Sequence, residues 1–263
     1  MEKISIIIPA YNEEKRIKNT LETYLKFFKN LKKKKVLDFE ILVVLNACKD
    51  KTLEIVRKIK KGNKELKYLD FEKSGKGFAI MQGFADSLKR KNDWIGFVDA
   101  DMATMPKDFY FLIENINDAD GIIASRYVKG SVVEPKQSFQ RIVASRIFNL
   151  LIRSILFLPY RDTQCGAKIF KRDTIKNTIN QLSFSRWAFD VDLIYHIRKS
   201  GFKIKEIPTV WRDKEYSKIN LKKAGLQMFL AIIRLRLINS WFKGFVKLYD
   251  KFLDILRNIK RKI

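Results

Sequence analysis

Trp94-Ile95-Gly96-Phe97-Val98-Asp99-Ala100-Asp101 is a short apolar run that closes on two carboxylates one residue apart, with Pro106 opening a helix soon after. An unbroken apolar run bounded by turn chemistry has the pattern of a strand buried on both faces of a parallel sheet, and ligands bind off the carboxyl ends of such strands. This reading puts Asp99 and Asp101 at the rim of a sheet, where both side chains can turn toward one hard cation and, through it, toward phosphate oxygens. The same two residues also suit a cap on the helix at Pro106 and a solvated turn.

On the N-terminal side, the chain repeats the pattern strand, loop, helix. Ile4 to Pro9 reads as a strand, and the loop Pro9-Ala10-Tyr11-Asn12-Glu13 leads to a helix carrying Ile17, Leu21, Tyr24, Leu25 and Phe28. Phe39 to Leu45 is a second strand, ending at Asn46-Ala47-Cys48-Lys49-Asp50. Asp50, Thr52 and Glu54 open a helix with Leu53, Val56 and Ile59 on its apolar face. A third strand, Leu66 to Phe71, runs into Ser74-Gly75-Lys76-Gly77. Walker A spacing is absent there, so the expectation is milder: Lys76 and free backbone amides face a phosphate. Gly121 to Ser125 follows as a strand, with Arg126-Tyr127 at its end. The whole predicts an α/β fold with a mostly parallel sheet, right-handed crossovers and flanking helices.

Past Ser125 the pattern changes. Gly130 to Gln137 reads as a mobile loop, and Phe139 to Leu158 as an amphipathic helix carrying Arg141, Arg146 and Arg153. Asp162 to Phe170 reads as a strand with a close-approach glycine. Ser185 to Asp192 leads into a helix ending near Ser200, and Lys203 to Val210 is a further strand. The tail from Ser217 to Ile263 holds twelve Lys and Arg against two Asp, and its apolar residues from Ile238 to Ile259 recur at three and four. Basic amphipathic helices of this kind suit an anionic membrane surface, or a face packed on the chain's own domain or on a partner. The expected division is therefore 1–216 as the main domain, with halves 1–126 and 127–216, and 217–263 as a helical tail.

With 54 Lys and Arg against 29 Asp and Glu over 263 residues, the formal charge is +25, which calls for an anionic partner. No zinc-site spacing, RNA-recognition signature or helix-turn-helix accompanies that charge, so nucleic acid is not the expected partner. Cys48 and Cys165 are the only cysteines, and a reducing cytosolic setting is the default. Met1-Glu2-Lys3 runs directly into a strand, so no secretory signal is expected. Arginines interrupt each long apolar stretch, so no spanning helix is expected either, which leaves a soluble or peripheral protein.

Taken together, Ile8-Pro9-Ala10-Tyr11-Asn12-Glu13, Gly75-Lys76-Gly77, Asp99-Ala100-Asp101 with Ala103-Thr104, Ser125-Arg126-Tyr127, Asp162-Thr163-Gln164-Cys165-Gly166 and Arg186-Trp187-Ala188-Phe189-Asp190 carry a resemblance. From Ile4 to about Trp241 the chain resembles the inverting family 2 glycosyltransferases with the GT-A fold. Within them it is most similar to the dolichyl-phosphate β-glucosyltransferase and polyprenyl-phosphate mannosyl/glucosyltransferase group. The resemblance implies a nucleotide-sugar donor, with Pro9, Tyr11 and Glu13 in the nucleotide pocket. It makes Asp99 a neighbour of ribose and diphosphate and Asp101 the principal ligand of a divalent metal, Mg2+ or Mn2+. Lys76, Ala100 and Gln164 fall in substrate-binding motifs. Arg126, Arg141 and Lys218 match basic positions that face the diphosphate or the acceptor phosphate.

Asp190 falls where many relatives place a catalytic base. A lipid-phosphate acceptor is already anionic and leaves Asp190 to orient hydroxyls or an arginine, whereas a sugar-hydroxyl acceptor would give it a true base role. Relatives usually carry Asp-Asp-Gly-Ser after the second strand, but this chain has Leu45-Asn46-Ala47-Cys48. Asn46 would thus meet a base edge without charge. UDP-glucose is the first expectation for the donor and GDP-mannose the second; the acceptor expectation is a polyprenyl or dolichyl phosphate at the cytoplasmic face of a membrane. A degenerate, donor-binding relative without turnover is a further possibility raised by the altered Asn46 segment.

Overall fold

A computed structural model describes residues 1–135, 139–183, 188–212, 221–246 and 249–250. Strands β1 (Lys3–Ala10), β2 (Asp38–Asn46), β3 (Leu66–Phe71) and β4 (Trp94–Phe97) alternate with helices α1 (Ile17–Lys33), α2 (Thr52–Lys61) and α3 (Lys76–Leu88). Helix α4 (Pro106–Glu114) leads to β5 (Gly121–Ser125), and β6 (Val132–Glu134) precedes α5 (Phe139–Leu156). Then come β7 (Lys168–Lys171), α6 (Arg172–Thr178), α7 (Phe189–Lys199), β8 (Ile204–Pro208), β9 (Val210–Arg212) and α8 (Leu221–Ile238). Seven strands form one sheet in the order β3-β2-β1-β4-β7-β5-β8. Every neighbouring pair is parallel except those involving β7, which runs antiparallel to both β4 and β5.

The apolar runs are continuous because both faces of the sheet are covered. Ile4, Ile6 and Ile8 enter one cluster and Ile7 the opposite one; Ile41, Val43 and Leu45 are likewise separated from Leu42 and Val44. Helices α1, α2 and α4 close the first face with residues such as Phe28, Val56 and Phe109. On the second face lie α3, α5, α6, α7 and α8, including Phe84, Ile152, Ile175, Ile194 and Ile232. Each large apolar side chain so withdrawn from water contributes about 1.5–3 kcal/mol, so a strand sandwiched between helix layers gains from apolar residues at every position. Ser5, a buried polar residue within β1, is accommodated by a hydrogen bond between its hydroxyl and that of Ser87, 2.7 Å away.

Three readings change. The loop expected over Gly130 to Gln137 contains β6, which pairs parallel with β9 through Val132 and Val210 in a small separate sheet. Three-residue strands 78 positions apart leave too short a periodicity to read. The strand expected from Asp162 begins only at Lys168; ahead of it Asp162 and Thr163 are buried, and the Asp162 carboxylate is engaged by Arg126 instead of leaving the backbone free to pair in the sheet. The apolar run at Trp94 ends as a strand at Phe97, before the two aspartates. Helix α8 falls in the expected tail, yet Ile232 and Leu235 are buried in the second cluster. Among the described residues no helix is long and apolar enough to cross a membrane. The tail beyond Asp250, Lys218 and the Phe184 to Trp187 stretch lie outside the described residues.

Candidate active site at the carboxyl edge of the sheet

Parallel strands β1, β2 and β4 deliver their following loops to one edge. In each loop a residue other than glycine takes a left-handed backbone: Asn12 at φ 54°, Ala47 at 57° and Met102 at 62°. Such conformations cost about 1–3 kcal/mol and persist only where the surroundings enforce them, which is characteristic of ligand clamps. The enforcing bonds are visible. The Asn12 side chain accepts from the Lys49 N–H at 2.8 Å, the Thr52 hydroxyl accepts from the Glu13 N–H at 2.8 Å, and Asp50 accepts from the Glu14 N–H at 3.1 Å. Asn46 donates to the Ala10 carbonyl at 2.8 Å and accepts from the Gly75 N–H at 3.1 Å. Both ends of its amide are therefore given to backbone and tie three loops together, a different use from the base contact expected of it.

The loop bearing the aspartates is anchored from α1. Thr20 donates to the Ala100 carbonyl at 2.7 Å and Tyr24 to the Thr104 carbonyl at 2.8 Å. Asp101 accepts from the Ala103 N–H at 2.9 Å through one oxygen. Burial first, and then the charge of Asp99, raise the Asp101 carboxyl above its usual range, against the pull of Arg16 and Lys76. Asp99 pairs with the Lys76 ammonium at 2.6 Å. Burial works against the charged form of Lys76, but Asp99, Asp190 and Asp101 outweigh it and hold the ammonium above its ordinary value. Glu13, paired with Arg16, is raised mainly by burial, with Asp101 and Asp99 adding to the effect.

Glu13, Lys76, Asp99, Asp101 and Asp190 thus share one electrostatic neighbourhood, with Pro9 buried and Tyr11 exposed beside it. Among the described residues no three His, Cys, Asp or Glu side chains gather at metal-ligating spacing. Two mutually repelling carboxylates nevertheless fit a hard divalent ion, whose remaining positions water and phosphate oxygens commonly fill.

Antiparallel β7 completes this edge from the other direction. Phe97 opposes Lys168, and continuing that register brings Gly166 opposite Asp99. A Cβ on Gly166 would lie 1.9 Å from an Asp99 carboxylate oxygen, so only glycine leaves room for that side chain. Lys168 is fully buried; its ammonium donates to the Cys165 carbonyl and to Asp190, each at 2.6 Å, and stands 5.2 Å from the Phe97 ring centre. Asp190 lies in the first turn of α7, where a carboxylate also meets the positive end of the helix dipole.

The guanidinium of Arg126 is engaged by Asp162 at 2.7 and 2.9 Å, with the Tyr127 and Trp211 rings beside it. It is a carboxylate clamp here, where the resemblance implied a phosphate contact. Burial raises the Asp162 carboxyl, but the Arg126 charge overrides that and holds it below its usual range. Gln164 is half-buried, with its amide 4.0 Å from the Met228 sulfur. Arg141 lies in α5, and its side chain is outside the described residues. Sequence reasoning missed Lys168, Arg16 and the ties from Thr20 and Tyr24. Of these only Arg16, three residues beyond Glu13, carried a local signal.

Residues 5–178 match the sequence profile described as glycosyl transferase family 2. A dolichyl-phosphate beta-glucosyltransferase of Dictyostelium discoideum is 32% identical over 253 residues, covering 90% of this chain and 76% of that protein. Among solved structures, glucosyl-3-phosphoglycerate synthase from Mycobacterium tuberculosis, in complex with Mn2+, UDP and glucosyl-3-phosphoglycerate, superposes with a TM-score of 0.62 at 18% identity, over 90% of this chain and 79% of that one. A mannosyltransferase from Pyrobaculum calidifontis in complex with GDP-Man and Mn2+ gives a TM-score of 0.61 at 16% identity, over 94% and 68%.

Proposed function

This chain belongs to glycosyl transferase family 2, and from that premise we propose that it moves glucose from UDP-glucose to a polyprenyl phosphate, with inversion, at the cytoplasmic face of a membrane. The observation that carries the reading is the likeness, over nine-tenths of the chain, to a dolichyl-phosphate beta-glucosyltransferase. It is supported by the GT-A fold and by the clustered Asp99, Asp101 and Lys76 at the carboxyl edge. A phosphate oxygen of the lipid attacks the anomeric carbon as the bond from that carbon to the diphosphate oxygen breaks, and the electron pair departs with UDP. No proton has to move, because the attacking oxygen is already anionic.

Asp101 and Asp99 are the residues that would hold a divalent ion, Mg2+ or Mn2+, and that ion would offset the charge developing on the leaving diphosphate. Lys76 adds a second cation on the same side and keeps Asp99 turned into the cleft. Pro9, Tyr11 and Glu13 border the nucleotide. Asp190, held by Lys168, orients the sugar or the acceptor. The exposed Trp241, Phe242 and Phe245 beyond α8 suit a lipid interface, where the tail 217–263 brings the enzyme to its acceptor.

Purified protein is to be incubated with a panel of nucleotide sugars and a short polyprenyl phosphate, with and without divalent metal. UDP-glucose is expected to be consumed, with a lipid-phosphate glucose as product, only when metal is present. Preference for GDP-mannose, or transfer to a glycan hydroxyl alone, refutes the reading. A second expectation tests the Asp99 position: Gly166→Ala pushes the carboxylate aside and lowers kcat/KM for the donor about 10²-fold, as misplacement by about 1 Å does. Kinetics alongside a melting curve separate that loss from unfolding.

A further inference from the structure

Helix α5 carries a pocket of about 290 Å³ lined by Arg146, Asn149, Leu150, Arg153 and Arg161. None of the aspartates of the catalytic edge, nor Lys76, lines it. Three arginines and one asparagine line it, with no Asp or Glu among the lining residues. Arg153 and Arg161 are exposed, and among the described residues no ion pair engages them. Arg146 lies over the Tyr127 ring at 4.3 Å, which fixes its guanidinium at one wall.

Asn149 is the second observation. It is 4% exposed, and both the nitrogen and the oxygen of its side-chain amide are buried without a hydrogen-bond partner. Buried polar groups in native proteins are nearly always paired, so an orphaned amide among arginines points to a ligand. Its N–H donors suit the same acceptor oxygens that the guanidinium forks suit, and those forks match phosphate through paired bonds.

We propose that this pocket binds a phosphate group, apart from the donor-side cluster of Asp99, Asp101 and Lys76. Val143, Ile147 and Leu150 stand exposed on the same helix at spacings of four and three, so the pocket opens beside an apolar stripe. A lipid headgroup and a free phosphate share the required chemistry, and two probes tell them apart.

The full chain is titrated calorimetrically with inorganic phosphate, and sedimented with phosphatidylcholine vesicles that contain phosphatidylglycerol. R153Q/R161Q and Asn149→Leu are compared with the wild type and with K60Q/K61Q, which removes the same charge from the remote helix α2. The expected result, on one probe, is about tenfold weaker binding for Asn149→Leu and about a hundredfold for R153Q/R161Q, since each lost hydrogen bond to a charged group is worth about a factor of ten, and no change for K60Q/K61Q. Weakening on phosphate assigns a free anion, and weakening on vesicles alone assigns a headgroup. Because Asn149→Leu leaves every charge in place, its loss cannot come from diffuse attraction. If Asn149→Leu matches the wild type on both probes, or R153Q/R161Q weakens no more than K60Q/K61Q, the proposal is overturned. Metal-dependent donor consumption in detergent stays at the wild-type rate in R153Q/R161Q, so this outcome is independent of the transfer reading.

Discussion

Asp101→Asn lowers turnover by about 10³-fold and removes metal-linked uptake of the donor, while the metal-free chain melts no earlier than the wild type. The substitution is chosen because one Asp101 oxygen accepts the Ala103 N–H, and an amide oxygen accepts it equally well. Loop geometry is therefore kept and only the charge is lost. A role as a turn residue predicts no kinetic effect from this change, whereas a metal-holding role predicts a loss of several kcal/mol in transition-state stabilisation.

The stability side follows from linkage. Burial and Asp99 raise the Asp101 carboxyl in the folded chain, so the fold binds that proton more tightly than the unfolded chain does. Without metal, stability due to this group is greatest at low pH and falls as pH rises through the usual carboxylate range and above. Asn cannot ionise, so the variant loses that pH dependence and keeps the stability. Calorimetric donor titrations with and without Mn2+, together with melting curves across pH, check both halves. A D101N enzyme with full metal-dependent turnover would end the metal-ligand assignment.

What the sequence made legible divides along physical lines. Strands β1, β2 and β5 were readable because burial on both faces writes a run of apolar residues, and α1 because Ile17, Leu21, Tyr24, Leu25 and Phe28 fall on one helical stripe. The position of Asp99 and Asp101 at the sheet edge was readable for the same reason. The insertion of β7 between β4 and β5 was not, since alternation reports that a strand exists but not its neighbours. Lys168 was illegible in a stronger sense: a lysine in a strand reads as solvent-facing, and its partner Asp190 lies 22 residues further on, in another element. Asn46 and Arg126 were found as residues, but their partners, backbone for one and Asp162 for the other, come from tertiary packing.

Lys168→Met destabilises the fold by about 3–5 kcal/mol, because it leaves the Asp190 carboxylate and the Cys165 carbonyl facing a buried apolar chain. At the size of this chain that corresponds to a fall in Tm of about 10 °C. The double variant K168M/D190N removes both charges, and it should recover most of the loss, since replacing a buried pair outright costs far less than breaking it. Lys168 is wholly enclosed, whereas the Asp190 side chain keeps some contact with solvent. The lysine therefore acts through the aspartate, as a positioning residue.

Asp190→Asn then separates position from charge. The amide oxygen can still accept from Lys168, but the buried ammonium loses its countercharge, so this variant also lowers Tm and its kinetics are read on the folded protein well below the new midpoint. With an anionic phosphate as nucleophile no base is required, and the expected loss in kcat is modest, about tenfold or less, with donor KM unchanged. A loss of 10³-fold or more in D190N, at preserved donor binding and below its Tm, would make Asp190 a general base and move the acceptor from a lipid phosphate to a hydroxyl. An unshifted Tm in K168M would remove the buried pair from the account of how Asp190 is held.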